Sequence, residues 1–148
     1  MNRSLMAFFV LLFCSCMHSY AQDDGTMDVQ KIRKNVYTQV LSLNDDEAKR
    51  FWPVFDEMQA KLNEIKNKSA IERKNINDNY ATLTDAQMER SLDNLLDYEQ
   101  QSLDIQKKYY DKFKKLLPIK KVALLPKADR EFKKKILLIY QKMKDAAD

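Results

Sequence analysis

Thiol and imidazole chemistry is confined to one short stretch of this sequence, where Cys14 and Cys16 are its only cysteines and His18 its only histidine. Such groups serve as nucleophiles, general bases, disulfide partners and zinc or copper ligands. All three lie inside what reads as an export signal. Arg3 opens it, the apolar stretch LMAFFVLLF follows from Leu5 to Phe13, and small residues precede SYAQ. We expect cleavage after Ala21, which leaves one exported domain, residues 22–148, with neither Cys nor His. Lipidation at Cys16 is the competing outcome, but Phe13 and Cys14 suit it poorly, whereas Ser19 and Ala21 suit the ordinary signal peptidase. The apolar stretch is too short to span a bilayer, and nothing later approaches ~20 uninterrupted apolar residues. The expected destination is the periplasm.

Without those groups, thiol catalysis, histidine general-base catalysis, disulfide staples and sites built on thiolate or imidazole are excluded from the processed chain. Asp93 and Asp97, one helical turn apart, could hold calcium weakly. No further oxygen cluster surrounds them, and a solvated helix face is the better reading. Four methionines (Met27, Met58, Met88, Met143) are too few to suggest heavy-metal sensing. No nucleophile–base pair or catalytic carboxylate pair in a recognisable setting is present, so we expect no enzyme activity and no cofactor. Gly25 is the sole glycine, which removes phosphate-cradling loops and type I′ hairpins together. The expected fold class is all-α.

The remaining chemistry is charge. Lys107 to Lys135 holds twelve Lys or Arg against three acids, while Leu43 to Asp104 holds fourteen acids against eight bases. The basic run is interleaved with Tyr109, Tyr110, Phe113, Leu116 and Leu117. Lys107, Lys108, Lys114 and Lys115 would draw in acidic segments at long range, and Tyr109, Tyr110, Phe113 and Leu117 would offer apolar contact at short range. That combination suits weak, promiscuous holding. The plainer reading is a solvated helix face. Nucleic acid is the usual partner of such runs, but an exported protein rarely meets it; anionic lipid headgroups are the better competitor.

Four amphipathic segments must position these groups. The first, about Asp28 to Leu41, carries Val29, Ile32, Val36 and Val40. The second, about Asp45 to Asn77, places Ala48, Phe51, Phe55, Met58, Leu62 and Ile65 at coiled-coil spacing. The third, about Asp85 to Leu116, carries Met88, Leu92, Leu95, Leu96, Leu103, Tyr110 and Phe113. The fourth, about Ile119 to Lys144, carries Val122, Phe132, Ile136, Ile139, Tyr140 and Met143. Pro53 and Pro126 predict kinks in the second and fourth. Helices of about 30 residues are about 45 Å long, against a radius of gyration of about 14 Å for a compact globule of this size. We therefore expect long kinked hairpins in an open curved layer that dimerises to cover its apolar seam.

Two strings start helices. In LTDAQM, Thr84 caps the backbone N–H of Gln87, Gln87 reaches back to Thr84, and Leu83 and Met88 staple across the turn. In LNDDEA, Asn44 and Glu47 repeat the device after Leu43. Such boxes occur in many unrelated helical proteins and alone say nothing about function.

In context, an exported, Cys-free helical chain with LSLNDDEAKRFWPVF opening its long helix and YYDKFKKLLPIKKVALLPKADREFKKKIL near its end resembles the Spy/CpxP-like family of periplasmic chaperones and stress-response modulators. The resemblance covers about Leu41 to Ile139. That family carries two Leu-Thr-x-x-Gln motifs, each before a helix. The equivalents here are Leu43, Asn44 and Glu47, then Leu117, Pro118 and Lys121, both degenerate. The literal LTDAQ falls between them and reads as a capping box. Pro118 and Pro126 depart from the family pattern at the last hairpin. The resemblance implies a cradle-shaped homodimer that holds unfolded or misfolded clients on a basic and apolar concave face without ATP. The alternative it implies is a regulatory partner of a signalling sensor protein, with no general chaperone activity.

Overall fold

The computed structural model describes residues 28–146; the expected export signal, with the cysteines and the histidine, lies outside them. The chain is all-α, with no strand among the described residues: α1 (Val29–Leu41), α2 (Asp45–Asn79), α3 (Asp85–Leu116), a single turn α4 (Ile119–Val122) and α5 (Leu125–Asp145).

The helix starts follow side-chain chemistry. Asp28 accepts from the N–H of Lys31 at 2.9 Å and caps α1. Asn44 accepts from the N–H of Glu47 at 2.9 Å while the Glu47 carboxylate accepts from the N–H of Asn44 at 2.9 Å, a complete capping box for α2. Thr84 and Gln87 build the same box on α3. Each box satisfies backbone donors that a helix otherwise leaves open. α1 ends on Ser42 in the left-handed region (φ 49°, ψ 49°), with the N–H of Leu43 donating to Thr38 O at 3.0 Å, an ending for which glycine is the usual residue.

Proline acts differently at its three positions. α2 runs through Pro53 as one element. Pro118 forces the residue before it out of the helical region, and Leu117 is extended (φ −132°, ψ 152°), which ends α3. The expected kink at Pro126 inside one long helix is corrected: the fourth segment breaks at Ala123 and Leu124, and Pro126 stands in the first turn of α5, where its missing N–H would have had no partner.

α2 and α3 form a long antiparallel hairpin, and α1 pairs antiparallel with α5 beside its open end. One core cluster joins all five helices, centred on Leu41, Phe51, Phe55 and Phe113. Its rings meet at angles: Tyr37 to Phe55 at 4.8 Å, Phe51 to Phe113 at 5.1 Å and Tyr37 to Phe132 at 6.5 Å between centroids. Past this base the hairpin continues as a two-helix arm in which only Ile65, Ser91 and Leu95 are buried, Ile65 and Leu95 lying outside the core cluster. The α2 side of the arm adds about 21 Å of helix at 1.5 Å per residue.

The expected apolar stripes are corrected in two helices. In α3, Leu95 and Phe113 are buried as expected, but Leu92, Leu96 and Leu103 are more than half exposed, and Ser91 and Tyr109 are buried in addition. No third layer covers the arm's outer edge, so a leucine at a good helical position finds nothing to pack on. In α5, Tyr140 and Met143 are exposed for the same reason, while Leu125 and Ala128 enter the core. Tyr37 and Leu41 in α1 are buried more deeply than the Val29 stripe predicts.

Candidate functional site

The residues singled out in the basic run fall into three places. Tyr109, Phe113 and Leu117 are 1, 0 and 4 % exposed and belong to the core, which corrects their reading as contact residues: no client reaches a side chain that the fold has already enclosed. Tyr109 packs with the Lys112 ammonium 4.3 Å from its ring centre, and Lys112 in turn pairs with Glu57 of α2 at 3.0 Å. Lys107, Lys108, Lys114 and Lys115 are all exposed. At 100° per residue these four fall on the half of α3 turned away from Phe113, and Lys114 is paired with Asp111 at 2.9 Å. Only Tyr110, half-buried and edge-on to Phe113 at 6.3 Å, faces a concave surface.

That surface is a trough along α2 and α3, overhung by α1 and α5 at its base. Its inner half, about 570 Å³, is lined by Arg33 and Tyr37 of α1, Met58 and Leu62 of α2, Tyr110 of α3 and Phe132 of α5. Its outer half, about 610 Å³, lies between Ile65, Ala70 and Arg73 of α2 and Tyr98, Ser102 and Leu103 of α3. Lys66 and Gln106 line both halves, so the two adjoin. Ser69, Ala70 and Ser102 are small where the two helices face each other, and that smallness leaves the outer half open.

The trough's charges differ in how far they are committed. Asp129 accepts from the Tyr37 hydroxyl at 3.4 Å and pairs with Lys133 at 2.6 Å. Burial pushes the Tyr37 phenol well above its usual range, with the Asp129 carboxylate adding to the shift, so the hydroxyl stays neutral and donates. Burial also raises Tyr110, again with Asp129 contributing. Arg73 is neutralised across the arm by Glu99 at 3.6 Å. The Arg33 guanidinium lies 4.7 Å from the Phe132 ring centre and donates to Gln30 at 3.5 Å, with no ion pair among the described residues. Lys66, exposed, has no ion pair among the described residues. The trough is thus largely apolar in its outer half and mixed in its inner half, with Asp129 and Glu99 each paired to a cation and Lys66 unpaired between them among the described residues.

The two degenerate motifs meet in space. Lys121 Nζ donates to Glu47 Oε2 at 2.6 Å and to the Ser42 carbonyl at 2.7 Å, and Glu47 Oε2 also accepts the Asn44 N–H. The Lys121 hydrogen bond, and after it the Asn44 N–H, hold the Glu47 carboxyl below the usual range. Leu43 and Leu117 lie in the same core cluster. Pro118 makes no side-chain cap on α4, so the second motif works through Lys121 as a clasp on the first and does not cap a helix. Leu83, Thr84 and Gln87 stand at the far end of the hairpin, away from this clasp. Asp97 accepts from Gln101 at 2.7 Å, and no group of three His, Cys, Asp or Glu residues gathers at one point among the described residues.

Arg33, Leu62, Lys66, Tyr98 and Leu103 were not singled out as contacts by sequence reasoning. A signal existed in α2: Lys66 and Arg73 are seven apart and flank the small pair Ser69 and Ala70 on one face. Comparison of the chain with protein-family models, with curated proteins and with solved structures found no match. The likeness to the Spy/CpxP-like family therefore rests on the quoted residues alone.

Proposed function

We propose that the processed chain is an exported chaperone that acts without nucleotide, holding unfolded or partly folded proteins in the α2–α3 trough. The observation that carries this reading is a trough that runs from Phe132 to Arg73, mixed polar and apolar in its inner half and largely apolar in its outer half, with Lys66 where the two adjoin. Phe55 to Arg73 spans about 27 Å of helix at 1.5 Å per residue. That length accommodates about eight residues of extended chain at about 3.3 Å each. Leu62, Tyr98 and Leu103 give contact without a shaped pocket, and Lys66 and Arg33 favour segments bearing acids. Such a surface binds many sequences weakly, as holding requires. The homodimer expected from the sequence is part of this reading.

The test dilutes a denatured protein into buffer with residues 22–148 and no nucleotide while light scattering is followed. Wild type should suppress aggregation, and a Lys66→Glu/Leu103→Glu variant should lose most of that effect while keeping its helical circular dichroism. Scattering unchanged by wild type would defeat the holding reading and leave the purely regulatory alternative. Size-exclusion light scattering should give twice the monomer mass.

A further inference from the structure

We propose that the free end of α5, Lys133 to Lys144, is an interfacial anchor that lays the protein on an anionic lipid surface, a role independent of client holding. α5 enters the core through Leu125, Ala128 and Phe132, and Ile136 is its last side chain packed on the core cluster. Beyond that turn the apolar residues continue uncovered. Leu137, Leu138, Tyr140 and Met143 are 59, 48, 56 and 53 % exposed, four large apolar groups within seven positions. The lone exposed leucine needs no explanation; a cluster of this density at the end of a helix does.

Lysines flank the cluster: Lys133, Lys134 and Lys135 before it, Lys142 just inside its far end and Lys144 after it. Lys133 is committed to Asp129, but the other four have no ion pair among the described residues. Asp145 is the single acid from Phe132 to Ala146. At 100° per residue, Ile136, Leu137, Ile139, Tyr140 and Met143 share one half of the helix. Lys134, Lys135 and Lys142 occupy the other half together with Leu138, while Lys133 and Lys144 fall in the apolar half, at its two ends along the helix.

The charges decide what covers this surface. A second copy of the same helix end brings cation against cation in either direction. Parallel pairing repeats each position, and antiparallel pairing about its midpoint opposes Lys133 to Lys144 and Lys135 to Lys142. An anionic headgroup layer instead neutralises both lysine groups, while the acyl boundary beneath it takes the apolar half and the lysine stems reach back to the phosphates. The five apolar positions 136–140 cover only about 7 Å at 1.5 Å per residue, enough to lie in the interface and far too little to cross. No helix among the described residues is long and apolar enough to cross a membrane.

The test is sedimentation of residues 22–148, which retain the whole core, with vesicles of phosphatidylglycerol mixed into phosphatidylcholine and with phosphatidylcholine alone. Binding should appear on the mixed vesicles and not on the neutral ones. Each lysine near an anionic surface contributes about fivefold in affinity, so Lys134→Gln/Lys142→Gln should bind about 25-fold more weakly. Leu137→Ser/Tyr140→Ser should also lose binding. Both variants should keep wild-type circular dichroism, since none of these side chains is in the core, and wild-type suppression of aggregation, since none lines the trough. Equal binding to neutral vesicles, no binding to either, or variants that bind as wild type would overturn the anchor. So would a serine variant that changes only the oligomeric mass, which would assign the cluster to a second copy. Lipid binding and client holding are separate readouts, so either reading can fail without the other.

Discussion

Replacing Phe113 separates a core residue from a contact residue more sharply than any other change. Its ring is wholly buried and lies 5.1 Å from Phe51, 6.5 Å from Phe55 and 6.3 Å from Tyr110. Phe113→Ala returns no apolar surface to clients; it removes a ring from an aromatic stack to which α2 and α3 both contribute. The lost transfer term is about 2–3 kcal/mol for a fully buried side chain. If ~75 Å³ of the vacated volume persists, the cavity adds about 2 kcal/mol at about 24 cal/mol per Å³. The sum is about 4 kcal/mol, within the usual range for truncating a buried phenylalanine. A domain of this size has about 5–15 kcal/mol in total, so the alanine variant stays measurable only if the parent is well above the lower bound. Phe113→Leu, nearer in volume, should cost about 1.5 kcal/mol and keeps the experiment interpretable if the alanine variant unfolds. Urea unfolding followed by circular dichroism at 25 °C measures both. Aggregation suppression by the folded leucine variant should equal that of wild type. A loss below about 1 kcal/mol for Phe113→Ala, with an unchanged urea slope, would refute the packing described here and restore Phe113 as a surface group.

Thr84→Ala removes the cap of an exposed helix start and should cost about 1 kcal/mol in the same urea assay, with holding unchanged below the transition. Lys121→Met removes the first cause of the lowered Glu47 carboxyl. Because the folded value lies below the unfolded one, this contribution is complete above the ordinary glutamate range of about 4.3 and fades as pH falls through the folded value. Thermal melts should therefore show a gap between wild type and Lys121→Met at neutral pH that narrows on acidification below about pH 4. A gap that stays constant with pH would mean that Lys121 acts by packing alone. Exchanging Lys107, Lys108, Lys114 and Lys115 for Glu should leave suppression of aggregation largely intact because these groups sit on the outer half of α3, whereas Lys66→Glu in the trough should weaken it. Raising ionic strength to about 0.15 M, where the screening length is about 8 Å, should reduce the Lys66 effect.

The starts of α2 and α3 and the end of α3 were legible because they are written in local chemistry, whereas the break between α4 and α5 was not. Asn44 with Glu47 and Thr84 with Gln87 start α2 and α3 where the capping pattern places them, and Pro118, two residues on, ends α3 at Leu116. The seam of α2 was legible too, since Phe51, Phe55, Met58 and Ile65 are buried at the predicted spacing. What periodicity cannot express is how many layers cover a given stripe. Leu92 and Leu96 have the same spacing as core leucines, but the arm has only two helices and leaves them outside. Tyr109, at a position that reads as part of a basic surface, is enclosed because its ring lies on the α2 side of α3 beside Lys112 and Glu57. The trough was illegible because its lining is drawn from four helices whose residues are remote in sequence: Arg33, Lys66, Tyr110 and Phe132 share a surface only after α1 and α5 have docked. Lys121 likewise looked like a degenerate motif position until Glu47, far back in the chain, stood beside it.

The two-helix arm makes the trough a structure of graded stiffness. Its inner wall is built on the aromatic core, where Tyr37, Phe55 and Phe132 brace one another from three helices. Its outer wall stands on helices held together by Ile65, Leu95 and a few surface polar contacts such as Arg73 to Glu99 and Asn94 to Glu72. A helix pair clamped at one end and lightly joined along the rest behaves as a cantilever, and its least protected turns open at the smallest local free energy. Widening the trough by a given amount therefore takes less work near Leu103 than near Tyr110. Displacing α2 from α3 is therefore an elastic movement of the arm alone, and the aromatic base below it is the fixed end about which the arm bends.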